Sequence, residues 1–400
     1  MTIPNHSQLV CTVSFGQEIG GYVVIDSTVA GRSCGGLRML PDVDEAEMRG
    51  LARAMTLKYG FLGLPQGGAK AGVRGDPEAP EAERRQTLAR FAQAIAPLLQ
   101  SGLYVPGTDM GTNNSDIVHV LRTARVPIRR RWLRGTQSGY YTSLTVMAGV
   151  RQAARLLDIR LAGASAAIEG FGSVGSALGA LLDAAGVRVV AVSTASGAIY
   201  HPEGLDVAAL RRLAQRDGAG FVCSYAGAQQ VDRGAFLELP VDLLCPCARH
   251  HSVRADNAPR IQARAVCPGA NNPLTREAED ILAARNVLCL PDFVTNCGGV
   301  LGGTMEFASI SRPRIEGFIR EEIDPRIASL LEAAGRQGVL PRQVAETAAL
   351  GRFEDVQRRA TQPSPIGRLF QMTLELYRHG WIPGRLVAPL AISYFRRCLS

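Results

Sequence analysis

Lysine is almost missing from this chain of 400 residues. Of its 44 basic residues only Lys58 and Lys70 are lysine, and the other 42 are arginine. No run approaches the roughly 18 apolar residues of a membrane span, so no membrane partner is expected. The nine cysteines are odd in number and lack framework spacing. Cys245 and Cys247 flank a single proline, which leaves neither a CxxC pair nor a zinc ligand set. The six histidines show no HxxxH spacing, and no metal is expected. A reduced, cytoplasmic setting follows, and the start MTIPNHSQLV reads as no signal peptide. The net charge of +8 is modest. Its one dense cluster, Arg129-Arg130-Arg131 with Arg134, lacks the interleaved aromatics of a nucleic-acid platform and reads as a basic stretch between domains.

The arginine bias reads as base composition of the gene, which makes the two lysines informative. They fall twelve residues apart in TLKYGFLGLPQGGAKAGV, residues 56–73. Arginine supplies charge but cannot give up a proton near neutral pH. A lysine can, once burial or a second cation lowers its pKa. Apolar residues at helical spacing from Glu45 to Phe61 place Lys58 near a helix C-terminus. Pro65 and Gly67-Gly68 are expected to break that helix, so that Lys70, beyond a Gly-Gly turn, converges on Lys58.

Size implies two domains. Leu9 to Phe15 and Gly21 to Ser27 read as strands, with Gly31 and Gly35-Gly36 as punctuation. Pro80 to Leu99 reads as an amphipathic helix, and Leu103 to Val105 as a strand running into PGTDMGTNNSD. Asp109 in that loop follows a strand, where side chains of α/β folds face the cleft; on pattern alone a solvated turn carboxylate stands equally open. Asp116 is expected to cap the helix Ile117 to Thr123.

A helix from Ser143 to Leu157 precedes a strand–turn–helix–strand unit. Ala164 to Glu169 is the strand, Gly170, Gly172 and Gly175 follow at GxGxxG spacing, Ser176 to Ala185 is helical, and Val187 to Val192 is the next strand. In that context the glycines let the backbone approach a pyrophosphate at a helix N-terminus. Thr194 stands where a carboxylate would hold the ribose hydroxyls, so NAD and NADP both stay open. Strands are expected at Phe221–Ser224, Val241–Cys245, Arg264–Cys267 and Val287–Leu290, continuing a parallel sheet. Asn271-Asn272 and Asn296 are placed after strand ends. From Arg312 the chain reads as helical, broken near Gln362 to Pro365, with Ile366–His379 and Val387–Leu399 as closing helices.

These motifs together resemble the glutamate/leucine/phenylalanine/valine dehydrogenases. GGLRM (35–39), MTLKYG (55–60), GLPQGGAKAGV (63–73), GTDMGT (107–112), EGFGSVG (169–175), GANNPLT (269–275) and PDFVTNCGGV (291–300) match in order. The likeness runs from about Gly20 to Phe307, and its layout is closest to the leucine and phenylalanine branch. The resemblance implies an N-terminal α/β substrate and oligomerisation domain over 1–133, with helices from about 357–400 returning to it. It also implies a Rossmann-like NAD(P)-binding domain over 134–356, and a cleft between the two. Lys58 would hold the substrate α-carboxylate, Lys70 would be the catalytic lysine and Asp109 would exchange a proton with the amine. Gly36 and Asn296 are expected at the substrate. Gly170, Phe171, Gly172, Ser173, Val174, Gly175, Thr142, Thr194 and Asn271 are expected at the cofactor.

The departures carry information. Cys34 stands where glutamate-specific members have a lysine, and Gly303 where they have a serine. The family's PAA stretch appears as Cys245-Pro246-Cys247-Ala248, and a common glutamate before GAN as Pro268. A substrate carboxylate buried without partners costs several kcal/mol, so a neutral, apolar or aromatic amino acid is expected. The leading expectation is reversible NAD(P)-dependent oxidative deamination of such an L-amino acid to the 2-oxo acid and ammonia, by a homo-oligomer. The alternatives are the same fold acting on a 2-oxo acid in a secondary-metabolic reaction, and a non-catalytic relative.

Overall fold

A segment as poor in bulk as GGAKAGV forms a strand because both of its faces are covered. The structure, a computed structural model, describes residues 8–128, 136–362, 372–373, 376–377 and 381–399. The expected basic stretch at 129–134 and most of the helix expected over 366–379 lie outside them.

The chain divides into two compact units, one holding Met1–Thr136, Phe307–Ser309 and Thr347–Ser400, the other Gln137–Glu306 and Ile310–Glu346. In the first unit the strands β1 (Leu9–Phe15), β2 (Glu18–Ile25), β3 (Ser33–Leu40), β4 (Gly67–Arg74) and β5 (Tyr104–Thr108) form one sheet in the order β1-β2-β4-β3-β5. Helix α1 (Glu45–Leu62) covers one face, where Met48, Leu51 and Ala52 meet Tyr22, Val24 and Val43. Helices α2 (Glu81–Ala94) and α4 (Asn114–Thr123) cover the other, with α3 (Ala96–Gln100) between them in sequence; Leu88, Phe91, Val120 and Leu121 pack there on Leu37, Ala69, Ala71 and Val73.

Several expectations for this unit are corrected. Gly35-Gly36 lie inside β3 rather than between strands, and Gly67-Gly68 open β4 rather than forming a turn. Helix α1 ends instead at Gly63, whose left-handed φ of 61° lets its N–H reach the carbonyls of Gly60 and Tyr59. Pro80–Leu99 is two helices, not one. Asp116 belongs to a capping box: Asn113 is the N-cap, and the Asp116 carboxylate accepts from the Asn113 N–H at 2.9 Å and from Arg84 at 2.6 Å.

The second unit opens with α5 (Ser138–Leu156), then β6 (Ser165–Glu169), α6 (Ser173–Ala184), β7 (Arg188–Thr194), β8 (Gly197–Tyr200), α7 (Val207–Asp217) and α8 (Phe221–Ser224). It continues with β9 (Gln229–Val231), β10 (Leu243–Pro246), β11 (Ala265–Val266), α9 (Arg276–Ala284), β12 (Leu288–Cys289), α10 (Asp292–Thr295) and α11 (Gly298–Phe307). Its sheet runs β12-β11-β10-β6-β7-β8-β9, parallel from β12 to β7 and antiparallel beyond. Phe221–Ser224, expected as a strand, is a short helix whose Phe221 and Val222 are buried, with Phe221 packed on Phe171. Strand β6 has β10 on one side and β7 on the other, so the order reverses at its carboxyl end, where α/β sheets open a crevice.

Helices α12 (Arg312–Phe318), α13 (Asp324–Gln337) and α14 (Pro341–Thr361) follow, and Gly384–Leu399 is the last described helix. Arg342, at the start of α14, is buried; it binds both oxygens of Glu279 at 2.7 and 2.6 Å and reaches Asp292 at 2.8 Å. Removing one member of a buried charge network strands the others. Arg342→Met is expected to lower stability by about 3–5 kcal/mol, read as an earlier urea midpoint by circular dichroism.

Candidate active site

The register of three strands assembles the charged cluster of the first unit. Cα pairing sets Cys34 beside Gly68 and Arg38 beside Gly72, and on the other side Gly36 beside Gly107. Side chains alternate across a sheet, so Cys34, Gly36, Arg38, Gly68, Lys70 and Gly72 share the face that α1 covers. A Cβ on Gly68 would strike the Thr56 backbone, and one on Gly72 would strike Val43 and Met48. Lys70 is therefore the only side chain that β4 puts on this face between two glycines. It stands 2% exposed, and Lys58 of α1 is 4% exposed. Helix–sheet packing, not a Gly-Gly turn, brings the two lysines together.

Asp109 follows β5 directly. Its Oδ2 pairs with Lys70 Nζ, its Oδ1 accepts from the Met110 N–H at 2.7 Å and from Arg38 at 3.4 Å, and Thr112 Oγ1 accepts from the Asp109 N–H at 3.0 Å. Burial lowers the Lys70 pKa most; Arg38 and then Lys58 lower it further, and Glu47 opposes them. A cation held this way is a base at a milder pH than a free lysine. Gly36 leaves the room that Asp109 fills: a Cβ there would lie 2.8 Å from the Asp109 Cβ and Oδ2. Cys34 shares a side-chain hydrogen bond with the Tyr59 hydroxyl, and burial raises both groups.

The second unit forms the other constellation. Gly170 has a φ of 86°, and a Cβ on it would meet Ala248 at 2.9 Å. Gly172 faces open space, and Gly175 lies against the Gly170 carbonyl. Phe171 is buried on Phe221, with ring centroids 5.6 Å apart. Ser173, Val174 and Gly175 are the first turn of α6, which begins three residues earlier than its sequence implies. Their free N–H groups and the helix dipole suit an anion. Asn296 is buried; its amide donates to Ala270 and Asn271 oxygens, each at 2.9 Å, while its Oδ1 has no hydrogen-bond partner. It ends the short helix α10 rather than a strand. Thr142 lies on α5, where a Cβ on Gly299 would meet its hydroxyl at 2.6 Å. Thr194 ends β7, and its hydroxyl donates to the Ala219 carbonyl at 2.7 Å. An open glycine turn at a helix N-terminus, with an orphaned buried amide oxygen on the same unit, fits a nicotinamide dinucleotide.

Sequence reading missed Arg38, Glu47 and Glu169. One arginine among 42 carries no signal, and Glu47 looks like any acid in a helix first turn. Glu169, beside the glycine turn, is pushed up to about 7 by burial, and Ser252 Oγ donates to it at 2.8 Å. Among the described residues no cluster of His, Cys, Asp or Glu could hold a metal, and no helix is long and apolar enough to cross a membrane.

A doubly wound sheet with a glycine turn, in a chain that also buries a lysine–aspartate pair, defines the class: a dinucleotide-binding α/β protein with acid–base groups. Comparison with known proteins is specific. The Glutamate/Leucine/Phenylalanine/Valine dehydrogenase model matches residues 136–360, and the Glu/Leu/Phe/Val dehydrogenase dimerisation domain matches residues 8–125. A glutamate dehydrogenase of Thermotoga maritima is 35% identical over 295 residues, 70% of either chain. The NAD-specific glutamate dehydrogenase of Staphylococcus aureus is 32% identical over 330 residues, 78% of either chain. Among solved structures, the hetero-hexameric glutamate dehydrogenase of Thermus thermophilus in its Leu-bound form superposes with a TM-score of 0.74 at 27% identity, covering 88% of this chain and 90% of that one. The chain belongs to the Glu/Leu/Phe/Val dehydrogenase family, and so to the NAD(P)-dependent oxidoreductases that act on CH–NH2 donors.

Because a Cβ at position 36 would claim the space that Asp109 fills, Gly36→Ala is expected to push Asp109 off Lys70. A displacement of about 1 Å can cost about 100-fold in rate, so kcat should fall by that order while the circular dichroism spectrum stays native.

Proposed function

We propose that this protein catalyses reversible oxidative deamination of a neutral L-amino acid, and that the Lys70–Asp109 pair beside Lys58 is the observation that carries the reading. Oxidising a C–N bond needs an anchored carboxylate, an amine that can lose a proton, and a water activated to attack the resulting imine. Lys58 supplies a compact cation for the α-carboxylate. Asp109 takes the amine proton and returns it in the reverse direction. Lys70, its proton loosened by burial and by two cations, activates the water. A bound NAD(P)+ would supply the hydride acceptor that this oxidation requires. On the protein side, Gly170 to Gly175 and the α6 N-terminus would hold its pyrophosphate, and Thr142, Asn271 and Asn296 would orient the nicotinamide end. Thr194 carries no charge to select between a ribose hydroxyl and a 2′-phosphate, and its own hydroxyl is held by the Ala219 carbonyl, so NAD and NADP both stay open.

The substrate side chain is read from Cys34. It lies on the same sheet face as Lys70 and is bonded to Tyr59, so a neutral pair occupies the position where glutamate-specific members carry a lysine. Gly303 likewise offers no side-chain donor. A substrate carboxylate there would lack both partners. The family's dimerisation domain, matched over 8–125, supports a homo-oligomer built through the first unit.

The test is NAD(P)H absorbance over a panel of amino acids and 2-oxo acids with ammonia. The best neutral amino acid is expected to exceed glutamate in kcat/KM by about 100-fold or more, the size of several kcal/mol. Preference for glutamate would overturn the assignment of side-chain class, and silence across the panel would overturn the activity. Lys70→Met is expected to lower kcat by about 10² to 10⁴, while Lys58→Met acts mainly through KM.

A further inference from the structure

Arg38 and Glu47 are buried at 4% exposure each and bonded to one another, at a depth where an ion pair is not needed for solubility. Arg38 also reaches Asp109, and its Nε is buried without a hydrogen-bond partner. We propose that Arg38 is a positioning residue that holds Asp109 against Lys70 and, opposed by Glu47, sets the pH at which the Lys70 amine is free to act as a base.

The geometry leads there by elimination of simpler roles. A pair kept for stability alone is weakly supported, because a buried ion pair is often no better than apolar packing of the same volume. This one has a third partner in the proposed catalytic carboxylate. Arg38 lies on β3 beside Gly72, two residues along the same face from Lys70. Glu47 comes from the first turn of α1, where its own N–H donates to the N-cap Asp44 at 2.7 Å. The charged groups facing Lys70 are therefore Arg38 from β3, Glu47 and Lys58 from α1, and Asp109 from the loop after β5, while β2 presents Val24. Asp42 acts on Arg38 from the turn before α1.

Two of these four charges differ in kind from the rest. Lys58 and Asp109 are engaged by the substrate in the proposed reaction, so their fields change during turnover. Arg38 and Glu47 do not meet the substrate in that reading. Arginine cannot release its proton in this range, so Arg38 pushes on the Lys70 ammonium at every pH of interest. Glu47 partly cancels that push. A fixed positive charge and a fixed negative charge acting on one amine give a device whose two halves have opposite signs.

The inference rests on Lys70 being the base of the proposed reaction, and the experiment keeps the two claims apart. Only two lysines exist in the chain, so protein grown with [ε-13C]lysine gives two side-chain signals, assigned with Lys58→Arg. The Lys70 signal is titrated in the full-length protein without substrate, in parallel with pH profiles of kcat/KM. In Arg38→Met the fixed cation is gone and Glu47 is left uncancelled, so the Lys70 midpoint and the acid limb of the profile are expected to rise by about one pH unit. In Glu47→Gln both are expected to fall by about one unit. Midpoints unchanged in both variants, or moving in the same direction as general loosening would make them, overturn the proposal. Should Arg38→Met fail to fold, the downward shift in Glu47→Gln decides alone, and its absence overturns the proposal. A wild type that titrates as described but turns over no amino acid sinks the proposed function and leaves the charge arrangement standing.

Discussion

The close approach of α1 to β4 is the constraint on which the first unit depends. Gly68 and Gly72 carry no side chain because the Thr56 backbone and the side chains of Val43 and Met48 occupy the space. That contact removes water from the sheet face, and Lys70, the long side chain that β4 carries between those two glycines, is desolvated as a result. Desolvation changes a lysine from a solvated cation into a group that can exchange its proton near neutral pH. The same packing draws Thr56 under Asp26 and Ser27, with hydroxyl contacts of 2.5 and 2.7 Å, and Ser27 in turn accepts from the Gly68 N–H at 2.9 Å. A short polar network thus pins the helix to the strand on one side of Lys70, and Arg38 with Glu47 borders it on the other.

In the second unit the comparable constraint is the reversal of strand order at β6. It places the glycine turn, the end of β7 and the loop after β10 at one edge of the sheet. Ala248, in the departure Cys245-Pro246-Cys247-Ala248, lies where a Cβ on Gly170 would go. Its small side chain keeps that edge open, so the unusual residues around it leave the turn's geometry intact. Arg342 closes the far side of this unit by tying α14 to Glu279 and Asp292, and Asp292 accepts the Asn272 N–H at 2.9 Å. The loop carrying Asn271 is therefore held from a helix more than fifty residues away in sequence.

Reading from residues was most successful where a feature is local. The helix Glu45–Leu62, the strand β1 and the unit from β6 through α6 to β7 were legible from periodicity and glycine spacing, with starts displaced by a few residues. Phe221–Ser224 was misread because four apolar-rich residues suit a strand as well as a helix turn. The antiparallel β8 and β9 were missed because they are short and carry no strong alternation. Gly67-Gly68 was misread for a different reason: a glycine pair marks a turn far more often than a strand packed too tightly for side chains.

The chain's composition alone singled out Lys58 and Lys70, since a bias toward arginine makes a retained lysine conspicuous, and the ordered motifs placed it among the amino-acid dehydrogenases. Those are properties of residue type and spacing, which a sequence states outright. Tertiary structure alone decided how the two lysines meet, why Gly36 is glycine, and that Arg38 and Glu47 belong with Lys70 and Asp109. These follow from register across three strands and from a helix lying on them. Such long-range pairing fixes burial and distance, and hence the strength of every charge–charge interaction, without leaving a mark on any single stretch of chain.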